Sequence, residues 1–207
     1  RRVLFTSSGV VYGAYPGELQ RVSEQYMGAP DTTDPGSALG QAKRAAEYLC
    51  AYYANRYGFE YTIARCFSFL GPRLPLNIHY AVGNFIRDAL LSKEIVVKGD
   101  GLPMRSFLYL GDLVVWMQAL MVRACPSAIY NVGSDEAVSI LDLANLVGSL
   151  LSPTKEVKVL GNSGHDVGNF VRGWYVPDVT RARDELGLEV WTPLRDAILF
   201  TADAASR

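Results

Sequence analysis

Charge of either sign is not in excess: 20 Lys and Arg stand against 21 Asp and Glu, a formal net charge of −1 over 207 residues. Neither a nucleic-acid-binding stripe nor a basic membrane-seeking face is expected from so dispersed a distribution. No apolar run reaches the roughly 18 residues that a bilayer span needs, and no secretory pattern opens the sequence. Histidine is nearly absent, with two residues that no cysteine accompanies, which excludes the usual structural zinc arrangements. Cysteine is sparse and odd in number. Cys50, Cys66 and Cys125 sit inside apolar segments and read as free thiols of a reducing compartment, so the cytoplasm is the expected location. Internal repeats and low-complexity tracts are lacking too.

What is present is ordinary globular material, 49% apolar and 20% charged, enough for one good core or for a domain and a partial one. The chain has no initiator Met, and Arg1-Arg2 leads straight into Val3-Leu4-Phe5-Thr6. That run reads as a strand buried on both faces inside a parallel sheet, and a chain beginning there is expected to have lost what preceded it. A polar loop from about Gly13 to Gly36 follows. Ser37 is then expected to cap a helix running to Tyr57, with Gly58 as its stop. Strands are expected at 60–66, 95–98, 129–132 and 157–160, with a short extended piece at 106–110. Helices are expected at 81–91, 113–124, 140–151 (capped by Ser139), 180–186 and 193–204. Alternation of this kind points to an α/β domain with a parallel sheet. The shorter elements of the middle and end suggest a smaller substrate domain.

Three segments carry chemistry when taken together. Thr6-Ser7-Ser8-Gly9-Val10-Val11-Tyr12-Gly13 runs from a strand end into a turn, where ligands of open α/β sheets bind. Gly40-Gln41-Ala42-Lys43-Arg44-Ala45-Ala46-Glu47 opens the long helix. Arg65-Cys66-Phe67-Ser68-Phe69-Leu70-Gly71-Pro72-Arg73 is followed by Gly99-Asp100-Gly101 and by Arg105-Ser106-Phe107-Leu108-Tyr109-Leu110-Gly111-Asp112. Each is bland alone: a serine pair after a strand is a turn signal, and a helix lysine is usually solvated. In this order, with Tyr130-Asn131-Val132-Gly133 and the late 181–188 segment, they resemble the extended short-chain dehydrogenase/reductase family, in its NAD-dependent nucleotide-sugar epimerase/dehydratase branch.

The resemblance implies a Rossmann-like doubly wound parallel sheet with a small α+β substrate domain, here without the N-terminal dinucleotide-binding half. It places 1–70 and return segments near 105–135 in the Rossmann part, and 71–104 with 136–207 mainly in the substrate part. Ser8 matches the hydroxyl that bonds the sugar oxygen being oxidised. Lys43 matches the lysine that binds the nicotinamide ribose and lowers the pKa of a tyrosine one helical turn earlier. Position 39, where that tyrosine stands, is Leu39, which has no proton to exchange. An inactivated variant, a degenerate copy and an engineered change all remain open, and Tyr12 and Tyr15 lack the helical register to Lys43. The family's Gly-x-x-Gly-x-x-Gly turn is absent from these residues, so tight binding of NAD by this chain alone is not expected. Contacts to the nicotinamide end are expected near Ser7, Ser8, Lys43 and Phe67.

Relatives that eliminate water or carbon dioxide carry a carboxylate just after the catalytic hydroxyl; Gly9 and Val10 stand there. This leaves 4-epimerisation or 4-keto reduction through a 4-keto intermediate, ahead of 4,6-dehydration. For the nucleotide-diphosphate sugar, Arg105 matches a phosphate-pairing arginine, although a domain-bridging ion pair is the alternative. Arg172 is a second candidate. Ser68 stands in the place of a phosphate-contacting Asn, His79 is expected near the sugar, and Asn84 either touches substrate or caps a helix. Relatives dimerise through the long helix, here 37–57. A non-catalytic binding or dimerisation module on the same fold is the competing reading.

Overall fold

The computed structural model describes residues 1–16, 18–78, 80–161 and 173–206. In chain order the elements are β1 (Arg2–Ser8), α1 (Ala38–Tyr57), β2 (Glu60–Cys66), β3 (Phe69–Leu70), α2 (Ala81–Leu91), β4 (Ile95–Val97) and β5 (Met104–Arg105). There follow β6 (Leu108–Tyr109), α3 (Leu110–Arg123), β7 (Ala128–Val132), β8 (Val138–Ser139), α4 (Ile140–Leu151), β9 (Val157–Val159), β10 (Trp174–Tyr175), α5 (Thr180–Leu186) and α6 (Leu194–Ser206). Among the described residues no helix is long and apolar enough to cross a membrane.

β1, β2 and β7 form a parallel sheet in that order. Its register sets Ser8 opposite Cys66 and Cys66 opposite Val132, so three strand ends finish level. Successive side chains of a strand point to opposite faces. Leu4, Ala64, Tyr130 and Val132 therefore pack with Trp116 and Leu120 of α3. Phe5, Ser7 and Arg65 meet Lys43 and Glu47 of α1 on the other face. The expectation that β1 is buried on both faces does not hold: Val3 is 41% exposed and Thr6 is exposed as well. β1 is the outer strand, and its far edge pairs with no strand among the described residues.

A second core gathers Val82, Phe85 and Ile86 of α2, Leu143 and Val147 of α4, and Ile198 of α6 around Ile95. Most of these residues fall in the range 71–104 together with 136–207. One part of that range behaves otherwise, because Val179, Ala182 and Leu186 of the α5 region pack into the sheet core beside Tyr130. The chain thus returns to the sheet after β10. A third small cluster, Val11, Tyr12, Val22 and Phe67, lies under the carboxyl ends of β1 and β2.

Two helix ends follow the expected local chemistry and one does not. Gly58 closes α1 in the left-handed region (φ 67°), and Ser139 caps α4 by accepting from the Asp142 N–H. Ser37, expected to cap α1, makes no side-chain cap bond. Its backbone is already helical (φ −80°, ψ −2°) because Asp34 caps a 3-10 turn at Pro35–Ser37 that feeds into α1. Strands β3, β5, β6, β8 and β10 are two residues each, too short for any periodicity to announce.

Candidate active site

The crevice lies where β1, β2 and β7 end. Ser8 is half-buried at the last position of β1, and its Oγ accepts from Val10 N–H at 3.4 Å as the chain turns into a 3-10 helix. Lys43 approaches from the second turn of α1. Its ammonium donates to the Thr6 carbonyl at 2.7 Å and sits 5.1 Å from the centre of the Phe5 ring. One carbonyl and one ring leave donor capacity on a group with three N–H bonds. The charge is also felt at Cys66, opposite Ser8, although burial dominates there and pushes that thiol up to about 11.

From the other side comes β10. Tyr175 pairs with Arg105 of β5, its ring lies 4.8 Å from Phe67, and its phenol lies by the turn after Ser8, where a Cβ on Gly9 would meet the phenol oxygen at 2.8 Å. Burial raises the phenol's pKa well above the usual tyrosine range, while Ser8 and Arg105 pull the other way. Arg105 donates to the carbonyls of Met104 and Gly173, the latter at 3.0 Å. Burial lowers its pKa to about 10, and Tyr15 and Tyr175 face it. Lys43 thus acts on Cys66, the neighbour of Ser8 across the sheet, while Arg105 faces Tyr175 beside the turn after Ser8.

A buried polar chain supports the crevice from below. Arg65 gives two hydrogen bonds to Glu47, at 3.0 and 2.7 Å, and Ser7 Oγ donates to Glu47 Oε1 at 2.5 Å. The Arg65 guanidinium lies 4.7 Å from the Tyr12 ring centre. The Tyr12 hydroxyl donates to Asn131 Oδ1 at 2.7 Å, and Asn131 Nδ2 donates to the carbonyls of Val22 and Asp178. Every strand end and α1 are cross-braced in this way.

Several expectations change against this geometry. Ser7 is buried and its hydroxyl donates to Glu47, bracing α1. Phe67 is buried between Tyr12 and Tyr175 as a wall of the crevice. Ser68 is half-buried just after β2, its carbonyl holding Leu108 N–H. Asn84 neither caps α2 nor stands at this crevice: it lies one turn inside the helix and accepts from Arg87 at 3.3 Å. Leu39, on the first turn of α1, is 56% exposed. Tyr12 is held in the core by Asn131 and Arg65, with burial pushing its pKa up to about 12. Tyr15 accepts from Val176 N–H at 3.2 Å. His79 and Arg172 lie outside the described residues.

Tyr175, Glu47 and Asn131 were not singled out from the sequence. No spacing connects Tyr175 to Ser8, 167 positions away, and the segment is brought in by the two-residue pairing of β10 with β5 and by the bridge of Val22 to Pro177. The one available signal was the missing phenol at position 39, which invites a search for another.

Residues 1–133 match the family model described as the NAD dependent epimerase/dehydratase family. Among curated proteins the chain is 32% identical over 197 residues to UDP-glucuronic acid decarboxylase 1 of Xenopus tropicalis, covering 95% of this chain and 45% of that protein. It is equally 32% identical to UDP-glucuronic acid decarboxylase 5 of Arabidopsis thaliana, with 95% and 55% covered. It thus spans about half the length of these relatives. Its fold matches the UDP-glucose 4-epimerase of Thermotoga maritima solved with UDP-glucose at TM-score 0.85 and 24% identity, covering 99% of this chain and 63% of that one. MoeE5, solved with UDP-glucuronic acid and NAD, matches at TM-score 0.82 and 26% identity, with 100% and 65% covered. Strand order, crevice and family match agree: the chain belongs to the NAD-dependent epimerase/dehydratase family, with a Rossmann-like α/β fold.

Proposed function

We propose that this chain supplies the substrate-facing side of a nucleotide-sugar 4-epimerase or 4-keto reductase that works through a 4-keto intermediate. The observation that carries the reading is Ser8 at the level carboxyl ends of β1, β2 and β7, where such sheets bind ligands, with the Lys43 ammonium on the carbonyl of Thr6 two residues earlier. Ser8 is set to hold the sugar C4 oxygen. Arg105, walled by Tyr15 and Tyr175, offers positive charge to a diphosphate that brings its own solvation-compensating charge into the pocket.

The residues present fit the nicotinamide end of NAD. Lys43 keeps ammonium donors beyond the Thr6 carbonyl, suited to ribose hydroxyls, two residues before Ser8 on β1. When bound, the cofactor would take or return hydride at the sugar carbon. The pyrophosphate end is a different matter, because no Gly-x-x-Gly-x-x-Gly turn occurs in these 207 residues.

Residue chemistry after Ser8 favours this outcome over dehydration. A Cβ on Gly9 would stand 2.8 Å from both the Phe67 ring and the Tyr175 phenol, and Val10 follows, so no carboxylate stands beside the sugar. Decarboxylation is the second reading, favoured by the 32% identity to UDP-glucuronic acid decarboxylases. A uronic acid oxidised at C4 is a β-keto acid and loses carbon dioxide without a dedicated carboxylate, so the expectation that Gly9 and Val10 set decarboxylation aside is withdrawn.

A homodimer through α1 accompanies the proposal. Tyr48, Tyr52, Tyr53 and Tyr57 form an exposed ladder, with consecutive ring centres 5.3 to 6.1 Å apart, on a helix that buries only Gly40, Glu47 and Ala54. Aromatic surface of this kind marks interfaces.

The test supplies the full-length protein with NAD and with UDP-glucose, UDP-glucuronic acid or their 4-keto derivatives, and identifies the product by mass and NMR. A C4 epimer or a reduced 4-keto sugar is the expected product. A pentose with released carbon dioxide moves the assignment to the second reading, and a 4-keto-6-deoxy sugar overturns both.

A further inference from the structure

The buried residues of α1 are Gly40, Glu47 and Ala54, which recur at every seventh position. Seven residues make about two turns, so the three lie in one stripe along the helix. Gly40 and Ala54 carry at most a methyl group, and apolar contact has no direction. Gln41 and Arg44 tie the first turns to the carbonyls of Pro30, Val11 and Gly28, none of which belongs to a strand. Glu47 is different. Its carboxylate accepts from Arg65 Nε at 3.0 Å, from Arg65 Nη2 at 2.7 Å and from Ser7 Oγ at 2.5 Å. Ser7 and Arg65 are register partners on β1 and β2, so one carboxylate straddles both strands near their carboxyl ends. Lys43 stands one turn before Glu47 on the same face of the helix, and its ammonium meets the carbonyl of Thr6, the residue before Ser7, at 2.7 Å.

We propose that Glu47 is the positioning residue of Lys43: by gripping the Ser7–Arg65 pair it fixes the slide and roll of α1 on β1 and β2, and so delivers the Lys43 ammonium to the end of the sheet. A buried ion pair adds little net stability over apolar residues of similar volume. What this one adds is direction, which the small residues of the stripe do not supply. The use made of Lys43 rests on the reading given under Proposed function, whereas the grip does not.

Direction and stability are separated by making Glu47→Leu and Arg65→Met together, which removes the grip and strands no charge. Lysines of the full-length protein are acylated briefly with acetic anhydride, and each site is followed by mass spectrometry against the exposed Lys93 and Lys98. An ammonium bonded to a carbonyl must leave it before it reacts. Relative to these references, Lys43 is expected to react roughly 10-fold faster in the double variant, the factor for one lost hydrogen bond to a charged group. Ser7→Ala keeps the ion pair and removes one bond to Glu47, so a smaller rise in the same direction is expected. That variant carries the same readout should the double variant fail to fold. Lys43 labelling unchanged from wild type in a folded double variant, or in Ser7→Ala where only that variant folds, overturns the proposal.

Dissociation constants for reduced NAD and for UDP, measured on the same proteins, give a second readout. The double variant is expected to bind reduced NAD roughly 10-fold more weakly and UDP within about threefold of wild type. A merely structural role would weaken both or neither, and either result overturns the assignment of Glu47 to Lys43. Wild-type protein that binds neither ligand removes the reading under Proposed function, and the labelling of Lys43 then decides the grip alone.

Discussion

Glu47 and Arg65 are both nearly buried, and two hydrogen bonds plus the Ser7 hydroxyl hold them in one geometry. A buried pair adds little net stability, but removal of one partner strands a charge. Glu47→Ala leaves the Arg65 guanidinium under the Tyr12 ring with no counter-ion, and a loss of about 3–5 kcal/mol is expected. Calorimetry should read this as a melting point lower by roughly 6–20 °C. Glu47→Leu combined with Arg65→Met is expected to recover most of the loss. A single Glu47→Ala change within about 1 kcal/mol of wild type would show that water replaces the carboxylate. Both residues stand in motifs read from the sequence, but their partnership does not follow from spacing, because it depends on which face of α1 meets the odd-numbered side of β2. Ser8 and Lys43 were legible since they occupy a strand end and a helix opening in a fixed order. Tyr175 was not, because its contacts are made by a two-residue strand with no period of its own.

At the scale of elements, composition located the helices well and their caps less well. The helices expected at 81–91, 140–151 and 180–186 form with those bounds, because apolar periodicity and flanking turn residues act locally. α3 starts at Leu110, ahead of the expected 113. Its first-turn Asp112 is spent on Thr192, accepting from both the backbone N–H and the hydroxyl at 2.9 Å, a contact from 80 residues away. Serines 37 and 139 look alike in sequence yet differ in role. Ser139 is extended (φ −70°, ψ 155°), accepts from Asp142 N–H at 2.9 Å and donates to the Asp142 carboxylate at 2.6 Å. Ser37 is helical, and Asp34 caps the turn before it, accepting from Gly36 N–H at 2.8 Å. Ser139→Ala is therefore expected to cost about 1 kcal/mol, the usual loss of an N-cap. Ser37→Ala should cost less than that, since the buried hydroxyl makes no cap bond and accepts only a long 3.5 Å bond from Gln41. Urea denaturation of both variants measures the contrast, and equal losses would contradict the assignment of the cap to Asp34.

For the molecule as a whole, the surface is less finished than the interior. Among the described residues β1 has an edge that pairs with no strand, with Val3 exposed, a template for pairing with another strand. On the same side of the sheet as the first core, α3 exposes Val114, Val115, Met121 and Val122, while α1 on the opposite side exposes its tyrosine ladder, with Tyr48 at 65% and Tyr57 at 68%. These patches are large for a lone domain. This chain is therefore expected to self-associate in solution, and two modes are separable because they use different elements. Lys in place of Tyr48 and Tyr57 places like charges across a helix pair and leaves a strand edge untouched. Lys in place of Val3 does the reverse, since an edge charge blocks strand addition. Sedimentation of the three forms distinguishes them. Dissociation in the α1 variant alone would support the dimer proposed through that helix, which must bury on the order of 1,200–2,000 Å² to be stable. Dissociation in the Val3→Lys form alone would assign the association to the sheet edge. A monodisperse, cooperatively melting monomer in all three would show that neither surface drives association, and that the exposed ladder, against the argument made from its aromatic rings, is surface and nothing more.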